Sequence, residues 1–544
     1  MSSASESSDE DADALATTSA ARARAAETLD FLGVRATRER DDIGAFEERY
    51  GAVKRARGAG AAAEALEGLT LAFDGGWGDG VRGLGGRRRG GRTPPRAKAR
   101  RRAATLDLGV EDEMRALDEA NAVAETLASD RGAELALEVR RPRDGAAWLL
   151  GLALRGGFGG ASNLERLTSL TLRGGKGLSV DGFTTLIGAL KGDARSLRNL
   201  DVSSCGLGVD AAKALVEVLD ENGCPLERLD LKANSLGADG ALALSCALSR
   251  EKSSLKALNV AQNLIGAEGV RALVAAIAGA SNLRDLDLQH NGCGDHGAHA
   301  FAQHGLGSLE NLSLGFNGIG ADGARAIAEA LRKRHRSDDD DMDVHGGGDD
   351  DAVGRASKML KRLDLKCNTV GSDGAHALAE SLNDVEDLDL SNNSLRDGTK
   401  WIAKSLKSKA SNLKQLSLQA NEMTDDDAWW IADALGENNS LKTLNLGSNA
   451  LGDSGASDLA SDLRENTSLE TLDLTRNTIG KDGANELMDA MDENKTLTRL
   501  AIESNLIPAE TTLEMKRRVG LRAQCDWQRA GFSDTAATAP TKFT

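Results

Sequence analysis

Large aromatic side chains are scarce in this chain, and so are proline and cysteine. Among 544 residues only 3% are aromatic, and there are six prolines and six cysteines. The cysteines are scattered, without CxxC pairs or partnering histidines, so neither a zinc site nor a disulfide scaffold is indicated. A core poor in rings must be built from leucine and alanine, with 61 glycines at recurring bends. This composition favours stacked thin layers over a single globule, which a chain of this length would outgrow.

Long apolar runs and a basic overall charge are also missing. The longest apolar stretch, near Ala146–Leu154, is too short to span a bilayer, and the acidic N-terminus MSSASESSDEDADA has no apolar signal region. A formal net charge of −17 argues against general affinity for nucleic acid or anionic membrane. We therefore expect an intracellular, cytoplasmic and reduced protein that binds no membrane.

Motifs of known catalytic centres are absent as well. The sequence contains no GxSxG, HExxH or GxxxxGK[ST], and its seven histidines show no triad or metal-ligand spacing. We expect no catalytic residue, no metal, no cofactor and no enzymatic activity.

The sequence does contain an internal repeat, mostly 28 or 29 residues long. Leu226–Leu236 shows its frame, L-x-x-L-x-L-x-x-N-x-L. Further copies begin at Leu255, Leu283, Leu309, Leu360, Val385, Leu413, Leu441, Leu469 and Leu497, with a variant at Leu197 and a looser copy at Leu167. The alternating half of each copy predicts a short strand, and the half after the asparagine has the spacing of a helix. One such layer cannot cover its own apolar face, so the layers must stack.

Recurring polar residues in the repeat have structural interpretations. The asparagine column, from Asn234 to Asn505, is predicted to satisfy the loop backbone of adjacent layers, because an amide carries donors and an acceptor. Aspartates ahead of the helical glycine, such as Asp295 and Asp482, are predicted to be N-caps at the positive helix end.

These residues resemble the ribonuclease-inhibitor-like class of leucine-rich repeats, whose units carry L-x-x-L-D-L-x-x-N-x-[LI]-G-x-x-G-A. The match covers about two-thirds of the chain, roughly Leu164–Arg518. The resemblance implies an α/β horseshoe solenoid, with a parallel β-sheet lining the concave face and helices on the convex face. Members of this class inhibit, scaffold, activate a GTPase or recruit substrates, so the fold alone does not choose the function.

The predicted organisation has four parts. Residues 1–104 form a largely disordered arm, 105–163 an N-terminal cap, 164–518 a solenoid of about 12 repeats, and 519–544 a C-terminal cap or tail. The long step from Leu309 to Leu360 predicts an acidic loop, 334–357, that leaves the solenoid. The basic segment 82–102 has two interpretations, a nuclear-import or polyanion-binding element and a solvated linker.

Candidate binding residues are those that depart from the repeat pattern. Charge variety and one aromatic distinguish the middle repeats of the predicted concave face, and aromatic and arginine side chains are the usual interface anchors. The concave candidates are Arg228, Asp230, Lys232, Asp287, His290, Phe316, Arg362 and Lys366. For each Asp, the alternative to a binding role is that Asp is simply the usual residue at this position of the repeat. The weaker convex candidates are Trp401, Trp429 and Trp430, with local repacking as their structural alternative.

The predicted function is a non-enzymatic scaffold that binds a protein partner, for example in a cytoskeletal or axonemal assembly. A GTPase-activating protein similar to the Ran GTPase activators is one alternative, although here the acidic run lies inside the repeats rather than in a C-terminal tail. A ubiquitin-ligase substrate receptor is another, but residues 25–150 show no F-box. The choice between the concave and convex faces stays open.

Overall fold

The computed structural model describes residues 101–107, 134–140, 167–173, 178–190, 196–220, 225–249, 254–278, 282–340, 359–515 and 517–518. Contacts divide the chain into two compact units, Met1–Asn263 and Leu264–Thr544. Both units repeat a layer made of a short strand, a loop and a helix.

The described residues of the first unit form six parallel strands that pair in chain order. They are β1 (Arg101–Asp107), β2 (Glu134–Arg140), β3 (Leu167–Arg173), β4 (Asn199–Asp201), β5 (Arg228–Asp230) and β6 (Ala257–Asn259). The helices described in this unit are α1 (Val180–Leu190), α2 (Gly208–Asp220) and α3 (Gly237–Leu248).

The second unit continues the same alternation. Its strands, again parallel and in chain order, are β7 (Asp285–Asp287), β8 (Asn311–Ser313), β9 (Arg362–Asp364), β10 (Asp387–Asp389), β11 (Gln415–Ser417), β12 (Thr443–Asn445), β13 (Thr471–Asp473) and β14 (Arg499–Ala501). Its helices are α4 (Gly266–Ala278), α5 (Gly294–His304), α6 (Ala321–Asp340), α7 (Gly371–Ala379), α8 (Thr399–Leu406), α9 (Asp425–Glu437), α10 (Asp453–Leu463) and α11 (Lys481–Glu493), and residues 509–515 are helical.

The core of each unit is made of the repeat leucines and of small helical residues. In one layer Leu360, Leu363 and Leu365 are almost wholly buried, as are Ala375 and Leu378 of α7. Strand and helix thus contribute apolar side chains to the same layer, which confirms the predicted leucine-rich-repeat solenoid.

The asparagine column has the predicted structural role. The Asn317 Oδ1 accepts hydrogen bonds from the backbone N–H groups of Asn291 (3.0 Å) and Cys293 (3.3 Å). Its Nδ2 donates to the carbonyl oxygens of Leu288 (2.9 Å) and Leu314 (3.0 Å). One buried amide therefore joins the loops of two layers.

The helix caps differ from the prediction. Asp482 is the second residue of α11, and the N-cap is Gly480. The Oδ1 of Asp453, at the start of α10, accepts hydrogen bonds from the N–H groups of Gly480 (2.7 Å) and Gly483 (2.9 Å). A Cβ at Gly483 would lie 2.8 Å from this oxygen, so glycine permits the approach. An aspartate in the first turn thus caps the helix of the next layer, because stacking brings the two helix starts together.

Asp295 repeats this arrangement. Its Oδ1 accepts hydrogen bonds from Gly320 (2.7 Å) and Gly323 (2.9 Å) at the start of α6. The interpretation of Asp295 and Asp482 as caps of their own helices is therefore wrong.

Two predicted boundaries also differ. Strand β1 begins at Arg101, inside the segment 1–104 that was predicted to be an arm, and pairs with β2 over its whole length. Helix α6 continues to Asp340, beyond the predicted start of the acidic loop at residue 334. Most of the predicted N-terminal arm, the rest of the acidic loop (341–357) and the C-terminal tail (519–544) lie outside the described residues.

Candidate partner-binding surfaces

The aspartates at the ends of the strands each close a tight turn. The Asp364 Oδ1 accepts a hydrogen bond from the backbone N–H of Lys366 (3.0 Å), and Asp389 binds Ser391 in the same way (2.9 Å). Asn445 does the same for Gly447 (2.9 Å). An Asx turn that bonds the backbone two residues ahead suits Asp and Asn equally. The recurring Asp therefore has a structural role, and its second oxygen is not used by this turn.

At Asp364 this second oxygen is at the centre of a polar cluster. The Asp364 Oδ2 lies 3.0 Å from Lys366 Nζ and accepts a hydrogen bond from Gln289 Nε2, also at 3.0 Å. Burial alone would lower the pKa of Lys366, but the bond to Asp364 and the charges of Asp389 and Asp287 raise it above its usual value. Lys366 is therefore held protonated, in contact with the carboxylate of Asp364 and under the charges of Asp389 and Asp287.

An aromatic pair lies in the neighbouring loops. The rings of His290 and Phe316 stack with centroids 3.9 Å apart and planes 14° from parallel. Both residues have left-handed backbones, with φ of +54° and +57°. This conformation recurs one residue before each asparagine, and Ala233 and Ala420 also adopt it. Phe316 is 41% exposed, so its ring adds little to the core and presents a flat apolar surface to solvent.

We use the name sheet surface for this part of the second unit. It comprises Asp287, Gln289, His290, Phe316, Asp364, Lys366 and Asp389. The predicted candidates Asp287 and Lys366 interact electrostatically within it, and His290 and Phe316 form its aromatic pair.

The other predicted candidates are placed differently. Arg362 lies on β9, and its Nε donates to Asp387 Oδ2 at 2.7 Å. Arg228, Asp230 and Lys232 belong to the first unit. The Arg228 side chain donates to Asn199 Oδ1 (3.3 Å), and Asp230 closes the turn to Lys232 (2.9 Å).

Three members of the sheet surface were not predicted as site residues. Asp364 and Asp389 interact with the charge of Lys366, and Gln289 donates a hydrogen bond to Asp364. The signal was present in the sequence, since all three occupy the columns that contain Asp287 and Lys366. They can be chosen as site residues only when the distances between side chains of different layers are known, and the sequence does not give these distances.

The helix side carries the three tryptophans. Trp401 in α8 stacks on His376 of α7, with centroids 3.8 Å apart, and Lys400 Nζ lies 5.5 Å from the indole centroid. In α9, Trp429 and Trp430 meet edge to face at 4.8 Å and are 47% and 41% exposed. The stacking on His376 agrees with repacking at Trp401, whereas the other two indoles remain open to solvent.

Within the described part of the chain, no cluster of His, Cys, Asp or Glu has an arrangement that could hold a metal ion. None of the helices described there is long and apolar enough to cross a membrane.

Comparison with known proteins agrees with this architecture. The family model described as Leucine Rich repeat matches residues 194–216, 224–245, 251–274, 279–302, 308–328, 356–379, 437–460 and 465–488. No curated protein sequence matches the chain.

Several solved structures are similar to the chain at low identity. An internalin from Listeria monocytogenes is 17% identical over 75% of this chain and 92% of its own, with a TM-score of 0.39. A chain of the yeast Rad7 and Elc1 complex is 15% identical over 74% of this chain and 81% of its own, with a TM-score of 0.40. The tropomodulin C-terminal domain of Caenorhabditis elegans is 16% identical over 30% of this chain and 99% of its own, with a TM-score of 0.25. At these values the likenesses say nothing about a partner of this chain.

Proposed function

We propose that this chain is a leucine-rich-repeat protein and a non-enzymatic scaffold whose sheet surface binds a protein partner. Eight of its segments match the Leucine Rich repeat model, and solenoid repeats offer extended binding surfaces. The exposed stack of His290 and Phe316 beside the Lys366 cluster carries this proposal. We place the repeats in the ribonuclease-inhibitor-like class, because their units of 28 or 29 residues carry a helix in most layers.

The aromatic pair is suited to anchoring a partner. Two stacked rings on a constrained backbone lose little conformational freedom on binding, which lowers the entropic cost of association. Aromatic anchors dominate many interfaces, and one can contribute about 2 kcal/mol or more. The three carboxylates around Lys366 exceed its charge and would favour a basic segment of the partner.

Removal of the aromatic pair tests the proposal. We expect the double variant His290→Ala with Phe316→Ala to lose about tenfold or more in affinity for partners isolated by affinity purification and mass spectrometry. The fold should be retained, because alanine occupies the same left-handed position at Ala233 and Ala420. The change in unfolding free energy should stay below about 1 kcal/mol, as for most surface substitutions.

A matched control is Arg476→Ala, which changes an exposed residue at the same left-handed position of another layer. It should leave binding unchanged. The proposal is wrong if the double variant binds every partner as the parent does while a folded Trp401→Ala, Trp430→Ala variant does not.

A further inference from the structure

A groove at the start of α9 joins an exposed indole to an excess of carboxylates. Besides Trp430, its lining contains two cations and four carboxylates, namely Arg396, Lys400, Asp397, Glu422, Asp426 and Asp427. Arg396 Nε lies 2.9 Å from Glu422 Oε2, and Lys400 Nζ lies 3.4 Å from Asp397 Oδ2. Both cations are thus engaged inside the groove, and two negative charges remain in excess.

Asp427 adds a buried carboxylate to this groove. In the adjacent layers Gly398 and Gly455 occupy the corresponding position, whereas Asp427 places a buried carboxylate there. Its Oδ2 accepts a hydrogen bond from the backbone N–H of Thr424 at 2.9 Å. Burial, together with the neighbouring charges of Asp397 and Asp426, still raises the pKa of Asp427. The carboxylates of Asp397 and Asp426 therefore act on Asp427 in addition to its burial.

The acids of the first turn have a structural explanation in the helix dipole, but Trp430 does not. The layers from Ala243 to Ala377 place alanine at this position, the preceding layer places Trp401 there, and the two following layers place Asp458 and Glu486. A buried indole would be the usual outcome if Trp430 served packing. Trp430 instead stays 41% exposed, with Trp429 packed edge-on against it. Asp426 precedes it by one helical turn, so carboxylate and indole lie on the same helix face.

An exposed indole beside unneutralised carboxylates has the chemistry that recognises an organic cation. A guanidinium group can stack on the ring and donate paired hydrogen bonds to a carboxylate, which an ammonium group cannot do in the same plane. We propose that this groove binds an arginine side chain carried by a basic segment of a partner protein. The site is separate from the sheet surface and does not depend on it.

Peptide titration of the full chain tests this assignment. The probe is a short Gly/Ser peptide with several arginines, followed by tryptophan fluorescence and calorimetry, and its citrulline counterpart is the uncharged control. We expect the arginine peptide to bind and the citrulline peptide not to bind. Asp426→Asn should weaken binding about tenfold, since it removes one exposed carboxylate beside the ring.

The matched control is Asp482→Asn, because Asp482 is likewise the exposed second residue of its helix but has no indole at the equivalent position. It should bind the arginine peptide as the parent does. Trp430→Ala, checked for folding by circular dichroism, should also lose binding. Equal losses for Asp426→Asn and Asp482→Asn, binding of the citrulline peptide, or no binding of the arginine peptide would each overturn the proposal.

Discussion

At the scale of single residues, the position before each repeat asparagine has a left-handed backbone whatever its side chain. Ala233, Phe316 and Arg476 all have φ between +55° and +58° there. Such a conformation is costly for bulky residues and is maintained only where the surrounding bonds impose it. The asparagine that follows supplies part of these bonds, as Asn317 does to the carbonyl of Gly315 (3.2 Å). The backbone N–H of Phe316 supplies another, to the carbonyl of Lys366 (2.9 Å), so the side chain at the left-handed position is free to serve binding.

The asparagine itself should be the most sensitive polar residue of a layer. We expect Asn317→Ala to lower the free energy of unfolding by about 2–3 kcal/mol, since it leaves buried backbone groups of two layers without partners. Chemical denaturation measures this loss. Asn505→Ala, in a half-buried layer where water can replace the amide, should cost about 1 kcal/mol. Equal losses at both positions would contradict this explanation.

At the scale of elements, several helices depend on the layer before them. The carboxylates of Asp295 and Asp453 bind N–H groups at the start of the following helix. Charge and hydrogen bonding therefore stabilise both the start of one helix and its contact with the next. This coupling explains why the acids recur although their own helices begin without side-chain caps, as at Cys293.

Substitution of a cap should consequently affect the neighbouring helix. We expect Asp453→Ala to lower the free energy of unfolding by about 1 kcal/mol, because two N–H groups of α11 lose their acceptor. Asp482→Ala, at the start of α11 itself, should cost less than about 0.5 kcal/mol. Urea unfolding distinguishes the two variants. A larger loss of unfolding free energy for Asp482→Ala would show that Asp482 caps its own helix.

At the scale of the whole molecule, the long step in the repeat is a single layer in space. Strand β8 pairs directly with β9, so that Asn311 faces Arg362. The backbone N–H of Asn317 donates to Asn368 Oδ1 at 3.0 Å across this step. The layers of the second unit therefore stack continuously across the insertion, and no layer is missing between β8 and β9.

The insertion should then be removable if the end of α6 is kept. Replacement of residues 341–357 by a short Gly/Ser linker should change the melting temperature by less than about 3 °C, because the cost of closing a surface loop varies slowly with its length. Replacement of 334–357 should lower it further, since Arg334 Nη1 donates to the carbonyl of Leu309 at 2.8 Å. Equal melting temperatures for the two variants would show that the helix end is dispensable.

The sequence by itself determined the repeat, the strand and helix halves of each layer, and the structural role of the asparagines. Those features depend on spacing along the chain, as the burial of Leu360, Leu363 and Leu365 shows. Only the tertiary structure decided that Asp453 caps the next helix, that His290 stacks on Phe316, and which carboxylates hold Lys366. These contacts join residues of different layers, and their distances follow from the stacking of the layers rather than from separation in sequence.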